Sequence, residues 1–297
     1  MNIDFSGRVA FVTGSSRGIG RATAVRFAEA GADVVTNYVS SRKAALAVAE
    51  EVEKRGRKCY VLKSDVSERE DVQSMLDVIG TEIGRLDFLV SNAATGGFRQ
   101  MLDAKKENFD AAFHTNVLAL LYLVQASMPL LETAGPLRNK VVTISSHGSI
   151  GAIPLYGLIG SSKAALESLV RHLTLEIGDR GVNINVVRAG LVETDSTRRL
   201  PGSEAMFDAQ IQYTQVGNRV LQPEDVANAI LFLCSPYADM IQGEVLTVDG
   251  GGGFRAGCPL VHVCDQRMNP RKKRIKFMFV KKNHEKFTEF VSYDAPS

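Results

Sequence analysis

Cysteine is scarce in this chain of 297 residues, which contains only Cys59, Cys234, Cys258 and Cys264, at irregular spacing. A disulfide framework in a chain of this length needs more cysteines in a more regular pattern, so we expect a reducing compartment. Cys258 and Cys264 lie close to His262, but no second pair of ligands follows at the spacing that zinc sites use. The sequence therefore predicts no metal site.

Long hydrophobic runs are also missing. No stretch reaches the roughly 20 apolar residues that a membrane-spanning helix needs. The first residues, MNIDFSGRVAFVTG, enter a strand-like run without the charged and apolar regions of a signal peptide. With 45% hydrophobic residues, the chain has the composition of a soluble globular protein with one large core. We expect a cytoplasmic protein that does not bind membranes.

The net charge is only +2, but it is unevenly distributed. Residues 255–297 contain 10 Lys or Arg against 4 Asp or Glu, a charge of +6 that leaves −4 for the rest of the chain. Such an excess can attract an acidic partner, although a solvated segment is the commoner explanation. We predict one domain over residues 1–254, a basic C-terminal extension over residues 255–297, and no nucleic-acid partner.

Short β-branched runs alternate with amphipathic segments of ten or more residues. The runs are Val9 to Thr13, Val34 to Asn37, Cys59 to Lys63, Phe88 to Ser91, Val141 to Ser145, Ile184 to Val187 and Val245 to Val248. This alternation is typical of βαβ units and predicts a parallel sheet with helices on both faces, the doubly wound α/β class or Rossmann fold. Ligands of such sheets bind outside the carboxyl ends of the strands, so we expect the functional residues there.

Four further segments organise the chain. Long helices are predicted at about Phe109 to Leu131 and Gly157 to Ile177. The segment Val192 to Gly217 mixes turn residues with one short amphipathic run, and we predict a mobile lid there, with a static surface excursion as the alternative. The glycines from Gly250 to Gly253 are expected to end the domain.

A glycine-rich turn, TGSSRGIG at residues 13–20, follows the first predicted strand. Its glycines allow the backbone to approach a pyrophosphate at the N-terminus of the next helix, where N–H groups and the helix dipole hold the anion. Because the turn joins a strand to a helix, the sequence predicts a dinucleotide cofactor. The residues expected to contact it are Gly14, Ser15, Ser16, Arg17, Gly18, Ile19 and Gly20.

An acidic residue is missing at the end of the second strand, which reads Asn37-Tyr38. Enzymes that use NAD often place an acid there to bind the adenosine ribose. Arg17 and Arg42, with Ser40 nearby, could instead neutralise and hydrogen-bond a 2′-phosphate. We therefore predict NADPH, with contacts from Asn37, Tyr38, Ser40 and Arg42. The alternative is that both arginines are simply solvated.

A tyrosine is missing four residues before Lys163, where Ile159 stands, whereas Tyr156 lies seven residues before that lysine. Side chains seven apart on a helix differ by about 700°, so they share a face, about 10.5 Å apart along the axis. In carbonyl reduction the hydride and the proton reach adjacent atoms. In reduction of an enoyl thioester, hydride reaches Cβ and charge collects on the distant thioester oxygen. A tyrosine one turn earlier suits the second reaction, provided that the helix or its entry turn after Pro154 carries residue 156.

Over residues 5–253 the chain resembles the short-chain dehydrogenase/reductase family. The matching pieces are TGSSRGIG, Asp65-Val66, Asn92-Ala93-Ala94, Asn116, ISSHG at 144–148, Lys163 and VDGG at 248–251. The resemblance implies contacts with adenine near Asp65, with the nicotinamide ribose at Lys163 and with the carboxamide near Thr194, and a helix kink at Asn116. The full set of cofactor residues that it implies is Asp65, Val66, Asn92, Ala93, Ala94, Asn116, Lys163, Gly190, Leu191, Val192 and Thr194.

Within that family the chain is similar to the enoyl-[acyl-carrier-protein] reductases, particularly the NADPH-dependent type III enzymes. The similarity lies in Tyr-x6-Lys within SSHGSIGAIPLYGLIGSSKAALESL, and in NYVSSRKAAL and RLDFLVSNAATG. Ala189 departs from the proline common after the sixth strand. The resemblance implies catalytic roles for Tyr156, Lys163 and Ser146 in reducing trans-2-enoyl thioesters, an acyl carrier protein as partner, and a homotetramer. Ser146 could instead be only a turn residue.

Other functions stay open. A 3-oxoacyl reductase or other short-chain alcohol dehydrogenase is the first alternative, which the absence of tyrosine at position 159 disfavours. The second alternative is an NADPH-binding sensor or scaffold without turnover, which the presence of Tyr156, Lys163 and Ser146 disfavours. His114 and His147 lack a serine or cysteine partner at recognisable spacing, so we expect them to be structural or solvated.

An acyl chain requires an apolar slot. The residues predicted to line it are Ile153, Leu155, Ile159, Met206, Phe207 and Ile211. Acyl carrier proteins are acidic, so the basic C-terminal extension, or Arg198 and Arg199 in the predicted lid, could dock one through complementary charge.

Overall fold

A computed structural model of the chain describes residues 3–132, 138–198, 202–217 and 219–254. Its strands are β1 (Val9–Val12), β2 (Asp33–Tyr38), β3 (Cys59–Lys63), β4 (Phe88–Ser91), β5 (Asn139–Ser146), β6 (Val182–Ala189) and β7 (Val245–Val248). All are parallel and form one sheet in the order β3-β2-β1-β4-β5-β6-β7. The strand order reverses between β1 and β4, which creates the crevice where such sheets bind ligands.

Helices cover the sheet on both faces. Those in the described residues are α1 (Gly18–Glu29), α2 (Arg42–Glu53), α3 (Arg69–Val78), α4 (Lys106–Phe113), α5 (Ala119–Leu131), α6 (Gly157–Ile177), α7 (Asp195–Arg198), α8 (Ser203–Tyr213) and α9 (Pro223–Cys234). Each of the seven predicted strands is present, and the prediction of a doubly wound parallel sheet is confirmed.

The core consists of two apolar layers, one on each face of the sheet. Val12 points into a layer with α1, α2 and α9, whereas its neighbour Phe11 points into a layer with α3, α5 and α6. This alternation follows from the two-residue period of a strand. Because both faces are covered, β1 is apolar throughout, whereas β5 and β6 also bury polar side chains, among them Thr143, Asn183 and Asn185.

The helix predicted from Phe109 begins earlier, at Lys106, and a π-helical turn, His114–Leu118, joins α4 to α5. Taken together, Lys106–Leu131 is long and apolar enough to cross a membrane, by length and composition alone. The expectation that no stretch reaches that length is therefore wrong. However, Leu120 and Leu123 are fully buried against the sheet, and core helices of soluble proteins meet the same criterion.

The segment predicted as a lid contains two helices, α7 and α8, rather than one short amphipathic run. Met206 and Phe207 of α8 are buried, so this part of the segment packs against the domain. Whether the segment moves stays a prediction. The basic C-terminal extension, with Cys258, His262 and Cys264, lies outside the described residues. Within the described ranges, no cluster of three or more His, Cys, Asp or Glu could hold a metal ion.

Candidate active site

The glycine-rich turn after β1 is fitted closely to the loop after β4. Gly14 and Gly18 have φ values of +60° and +56°, which only glycine adopts readily. A Cβ on Gly14 would lie 2.9 Å from Ala93 Cα, and a Cβ on Gly20 would lie 2.5 Å from Asn92 Nδ2. The glycines are therefore needed for the turn to pack against the protein itself, in addition to any approach of a phosphate.

The turn leaves unused donors at the start of α1. The N-terminal capping residue, Arg17, makes no side-chain cap, and the first turn of the helix contains no acidic residue. The hydroxyl of Ser15 is buried and has no hydrogen-bond partner. Buried polar groups are normally satisfied, and uncapped N–H groups at a helix N-terminus attract anions. The residues present here fit the pyrophosphate of a dinucleotide.

The side chain of Asn37 connects the glycine-rich turn to the end of β3. Its Oδ1 accepts a hydrogen bond from the Gly14 N–H at 2.8 Å, and its Nδ2 donates to the Ser64 carbonyl at 3.1 Å. The side chain is almost fully buried and supports the glycine-rich turn. The predicted contact of Asn37 with the cofactor stays a prediction.

The arginines and the serine predicted to bind a 2′-phosphate are available. Arg17, Ser40 and Arg42 are exposed near the ends of β1 and β2, and Tyr38 is partly buried. Within the part of the chain that the structure describes, neither arginine forms an ion pair. Their charges are therefore free to meet an anion.

Ser64, directly after β3, is a candidate cofactor-binding residue that the sequence analysis does not predict. The Asp65 carboxylate accepts hydrogen bonds from the Ser67 N–H and hydroxyl, at 3.0 and 2.7 Å, and Val66 is buried in the core. Beside them, the hydroxyl of Ser64 is buried without a partner. Like Ser15, it lies at the carboxyl end of a strand. A small polar residue directly after β3 is the only sequence signal that could have identified it.

Asn116 lies in the π-helical turn and connects two segments of the site. Its side chain accepts a hydrogen bond from the Thr95 N–H and donates to the Thr95 carbonyl, both at 2.9 Å, and also donates to the Ser162 hydroxyl at 2.8 Å. Thr95 follows the exposed Ala94 in the loop after β4, and Ser162 directly precedes Lys163. The structure thus has a local helix irregularity at the position where the sequence predicts a kink.

Lys163 is buried in the first turns of α6. Its Nζ donates a hydrogen bond to the Ile144 carbonyl at 2.7 Å. Burial lowers the pKa of Lys163 to about 8, because desolvation disfavours the charged form, while the negative charge of Glu167 opposes the shift. The lysine is therefore held at the end of β5 with its charge only partly stabilised by the protein.

A buried charged network lies one helical turn after Lys163 and is not predicted from the sequence. Glu167 accepts hydrogen bonds from Arg188 at 2.7 and 3.0 Å, from Ser145 at 2.5 Å and from Ser149 at 2.6 Å. These bonds lower the pKa of Glu167, although its burial opposes them. The network joins α6, β6 and both ends of the turn that carries Ser146.

Tyr156 lies directly before α6 as its N-terminal capping residue, with φ −97° and ψ 4°. Its carbonyl accepts the Gly160 N–H at 2.7 Å, so it belongs to the entry turn of the helix. The preceding Leu155 has φ +62°, a conformation that a side chain makes unfavourable. The condition set by Pro154 is thus met, because the entry turn carries residue 156, although the tyrosine is not inside the helix proper.

The ring of Tyr156 is packed from two sides. A Cβ on Gly148 would lie 2.5 Å from two carbons of the ring, and the Phe98 ring lies 5.4 Å away between centroids. Burial raises the pKa of Tyr156, and a hydrogen bond with the Ser146 side chain opposes that increase. The phenol is therefore protonated at neutral pH and can donate a hydrogen bond beside Ser146, whose Oγ also accepts the Gly148 N–H at 3.2 Å.

Ile159 occupies the position where a Tyr-x3-Lys arrangement would place its tyrosine. It is 8% exposed and packs against Gly96, which has φ +154°. A Cβ on Gly96 would lie only 2.3 Å from Ile159 Cγ1. The glycine thus makes room for an aliphatic side chain at this position.

The two histidines lie outside this set. His147 Nε2 is 3.0 Å from Asp249 Oδ2, which connects the turn after β5 to the end of β7. His114 is exposed at the start of the π-helical turn. These positions agree with the expectation that both are structural or solvated.

Two of the residues predicted to line an apolar slot line a cavity beside Tyr156. Ile153 and Leu155 line a cavity beside Tyr156, whereas Ile159 packs on Gly96. Met206 and Phe207 are buried on α8 and do not line that cavity, and neither does the partly buried Ile211. Whether these residues line one slot for a substrate stays a prediction.

The residues after β6 close the other side of the cleft. The Gly190 N–H donates to the Val248 carbonyl at 2.9 Å, Val192 is buried, and Leu191 is partly buried. A Cβ on Gly18 would lie 3.3 Å from Thr194 Cγ2, so the predicted lid begins against the glycine-rich turn. Between them is a cavity of about 420 Å³. Residues that line it include Ser16, Arg17, Gly18, Arg21, Thr194 and Arg198.

Known proteins share this architecture. The family model described as "Enoyl-(Acyl carrier protein) reductase" matches residues 14–252. The 1-cyclohexenylcarbonyl-CoA reductase of Streptomyces collinus is 34% identical over 245 residues, which cover 82% of this chain and 86% of that protein.

Two solved structures are also similar. A short-chain dehydrogenase from Burkholderia cenocepacia in complex with NADP is 31% identical, with a TM-score of 0.76 over 85% of this chain and 99% of the other. A 7α-hydroxysteroid dehydrogenase complexed with NADH and 7-oxo glycochenodeoxycholic acid is 32% identical, with a TM-score of 0.79 over 84% and 96%. Both agree with the expected nicotinamide cofactor. The chain therefore belongs to the short-chain dehydrogenase/reductase family of oxidoreductases, within the group whose family model is described as enoyl-(acyl carrier protein) reductase.

Proposed function

We propose that this protein reduces the carbon–carbon double bond of trans-2-enoyl thioesters with NADPH, as an enoyl-[acyl-carrier-protein] reductase does. The observation that carries the proposal is the placement of Tyr156. Its phenol lies in the entry turn of α6 beside Ser146, while Ile159 fills the position nearer to Lys163. The proton donor is thereby displaced from the position that suits reduction of a carbonyl.

The side chains then have distinct roles. Bound NADPH would supply a hydride to Cβ of the substrate and become NADP⁺, and the resulting enolate would take up a proton at Cα from solvent. The Tyr156 phenol donates a hydrogen bond to the thioester oxygen, where negative charge develops, and one such preorganised donor typically contributes about 3 to 4 kcal/mol. Lys163 holds the nicotinamide ribose through its ammonium group and favours the polarised substrate by its charge. Ser146 supports the phenol through their hydrogen bond.

The choice of NADPH rests on charge. No acidic side chain ends β2, and the exposed Arg17 and Arg42 form no ion pair among the described residues. A 2′-phosphate would meet two available cations, whereas NADH would leave both solvated. The relative from Burkholderia cenocepacia holds NADP, which supports the same choice.

A carrier-bound thioester is the substrate form that we propose. The Streptomyces collinus relative is named for a CoA thioester whose double bond is conjugated to the carbonyl, which supports this chemistry. An acidic acyl carrier protein would be attracted by the basic C-terminal extension. Arg198 is a weaker docking candidate, because it pairs with Glu193 and lies over the Phe207 ring, and Arg199 lies outside the described residues. We further propose a homotetramer in the cytoplasm, as the family resemblance implies.

Reduction of a carbonyl is a second candidate, and one observation favours it. The hydrogen bond between Ser146 and Tyr156 would allow both hydroxyls to bind a single substrate oxygen. The relative crystallised with a 7-oxo steroid acid is named as a dehydrogenase of a hydroxyl group. This candidate requires Tyr156 to reach the oxygen next to the hydride-accepting carbon from its earlier position.

The test compares two thioesters at fixed protein concentration. Loss of NADPH absorbance is followed with crotonyl thioester and with acetoacetyl thioester, for the wild type and for Tyr156→Phe. Turnover of the crotonyl thioester alone, reduced at least 100-fold in the variant, supports the proposal. Turnover of acetoacetyl thioester alone supports carbonyl reduction. Tight binding of NADPH with no turnover of either substrate supports a non-catalytic sensor or scaffold.

A further inference from the structure

A second cavity adjoins Tyr156 without including the other candidate catalytic residues. Its volume is about 250 Å³. Its wall includes the side chains of Arg99, Met101, Ile153, Leu155, Tyr156 and Ser161. Ser146 and Lys163 do not line it. The cavity is large enough for a short acyl chain, and its wall is mostly apolar, with a single basic side chain.

That side chain, Arg99, is held in place but not neutralised. Its backbone N–H donates to the Leu155 carbonyl at 2.9 Å, and its Nη1 donates to Asn108 Oδ1 at 2.7 Å. Its Nε is buried and has no hydrogen-bond partner. Across the described ranges, no carboxylate forms an ion pair with this guanidinium.

An arginine in this condition favours a particular ligand. Placing a charge against apolar surroundings without a counter-charge is unfavourable, and an unpaired buried N–H leaves a hydrogen bond unmade. Carboxylates and phosphates match the planar fork of a guanidinium and accept two parallel hydrogen bonds from it. The neighbouring Met101, Ile153 and Leu155 offer apolar contact for the chain that carries such a group.

We infer that this cavity binds an oxyanion at the end of a short apolar chain, with the oxyanion on Arg99 and the chain extending toward Tyr156. Arg99 is then a specificity-determining residue. It gives preference to substrates that carry a carboxylate or a phosphate a few carbons away from the group that Tyr156 binds. The inference deepens the proposed function and rests on it only for the identification of Tyr156 as the residue facing the substrate.

Binding without turnover tests the inference. The full chain, saturated with NADPH at pH 7, is titrated by calorimetry with hexanoate, hexyl phosphate and hexanol, which share one apolar chain. At least one of the two anions is expected to bind ten times more tightly than hexanol. The stronger of the two identifies whether a carboxylate or a phosphate is the preferred source of the oxyanion. The preference is expected to weaken as the salt concentration rises.

Variants assign the preference to Arg99. Arg99→Gln is expected to bind the anions and hexanol with affinities within threefold of each other, and Arg99→Lys to retain part of the preference. Arg180→Gln is the matched control, because Arg180 is exposed and pairs with Glu132; it is expected to behave like the wild type. Melting temperature and NADPH affinity verify that each variant is folded. If Arg99→Gln does not fold, the comparison is made between Arg99→Lys and the wild type.

Two results would overturn the inference: anions that bind no better than hexanol to the wild type, or a preference of full wild-type size in a folded Arg99→Gln or Arg99→Lys protein. Because no reduction is measured, these results are separate from the proposed function. A protein that prefers the anions but does not reduce crotonyl thioester would retain the cavity assignment and lose the reaction. A protein that reduces crotonyl thioester but shows no preference for the anions would support the proposed reaction and contradict the assignment of the cavity.

Discussion

Glu167 on α6 and Arg188 on β6 form a buried ion pair in which the guanidinium donates two hydrogen bonds to the carboxylate, at 2.7 and 3.0 Å. The same carboxylate accepts the hydroxyls of Ser145 and Ser149. The turn between those serines carries Ser146 and the Gly148 that contacts the Tyr156 ring. The ion pair thus fixes the position of the candidate catalytic turn relative to the helix that carries Lys163.

Glu167→Gln is the first prediction. Removing one partner of a buried pair leaves an uncompensated charge, so we expect the free energy of unfolding to fall by about 3 kcal/mol in urea titrations. We also expect kcat to fall about tenfold with little change in KM for NADPH, because the turn with Ser146 loses its anchor. Loss of the negative charge lowers the pKa of Lys163 further, so the basic limb of the pH–rate profile moves to lower pH.

Glu132→Gln provides the matched control for that variant. Glu132 pairs with Arg180 at the surface, where such pairs contribute less than about 1 kcal/mol. A Glu167→Gln protein with wild-type kcat and pH profile would show that the network does not position the site, even if the variant were less stable.

The pH dependence of stability tests the burial of Lys163. Its pKa is about 8 in the folded chain without cofactor, against a model-peptide value near 10.5 in the unfolded chain. Between these values the unfolded chain binds more protons, so this group makes stability rise with pH. We expect the contribution to be on the order of 3 kcal/mol across that window. In Lys163→Met, unfolding free energies measured from pH 7 to 10 should lose this rise, and the variant should be the more stable protein at pH 7.

The ring of Tyr156 depends on the glycine behind it. Gly148→Ala would place a methyl group 2.5 Å from ring carbons, so the phenol must shift. We expect kcat to fall at least tenfold, while the dissociation constant for NADPH, measured by fluorescence titration, stays within threefold of the wild-type value. Gly80→Ala is the control, because its added methyl group would contact only Leu130 at 3.8 Å. Equal activity in the two variants would show that the ring position is not critical.

Much of this arrangement follows from sequence patterns. The seven strands and the helix Gly157–Ile177 are predicted because buried parallel strands and amphipathic helices have strong periodicity. The glycine-rich turn is predicted because its spacing has a local backbone explanation. The choice of NADPH, the individual site residues and the boundary between domain and extension stay predictions.

The remainder depends on contacts between distant segments. Glu167 and Arg188 are 21 residues apart, and neither belongs to a local motif, so their pairing emerges only once α6 lies on β6. Asn37 is held in place by hydrogen bonds with Gly14 and Ser64, which lie in the loops after two other strands. The apolar slot stays a prediction for a related reason, because hydrophobicity alone does not determine which surface a residue will line.

Moving the tyrosine back to position 159 tests why Tyr156 is used. Ile159 is 8% exposed and packs closely on Gly96. We therefore expect the double variant Tyr156→Phe with Ile159→Tyr to gain no acetoacetyl thioester reduction and to lose stability, by about 1 to 3 kcal/mol from overpacking. Ile159→Leu is the control of similar volume, with a cost below about 1.5 kcal/mol. Efficient reduction of acetoacetyl thioester by the double variant would show that position 159 can host the acid.

The hydroxyls of Ser15 and Ser64 are buried and have no hydrogen-bond partner, and the last prediction concerns their role in binding the cofactor. A lone buried hydroxyl is unfavourable, and both lie at carboxyl ends of strands where the dinucleotide is expected. If the cofactor supplies the missing hydrogen bonds, Ser15→Ala and Ser64→Ala should leave the cofactor-free protein equally or more stable. They should also weaken NADPH binding by roughly tenfold each, the effect of losing about 1 to 1.5 kcal/mol per hydrogen bond.

Ser127→Ala serves as the control for those two variants. The Ser127 hydroxyl is buried on α5 and already donates to the Leu123 carbonyl at 2.5 Å. Its removal should affect the thermal unfolding of the cofactor-free protein and leave the dissociation constant for NADPH unchanged. Ser127→Ala is therefore expected to change thermal unfolding, whereas Ser15→Ala and Ser64→Ala are expected to change the affinity for NADPH. Ser15→Ala and Ser64→Ala proteins that bind NADPH as tightly as the wild type would show that these hydroxyls do not contact the cofactor, and that their burial has another cause.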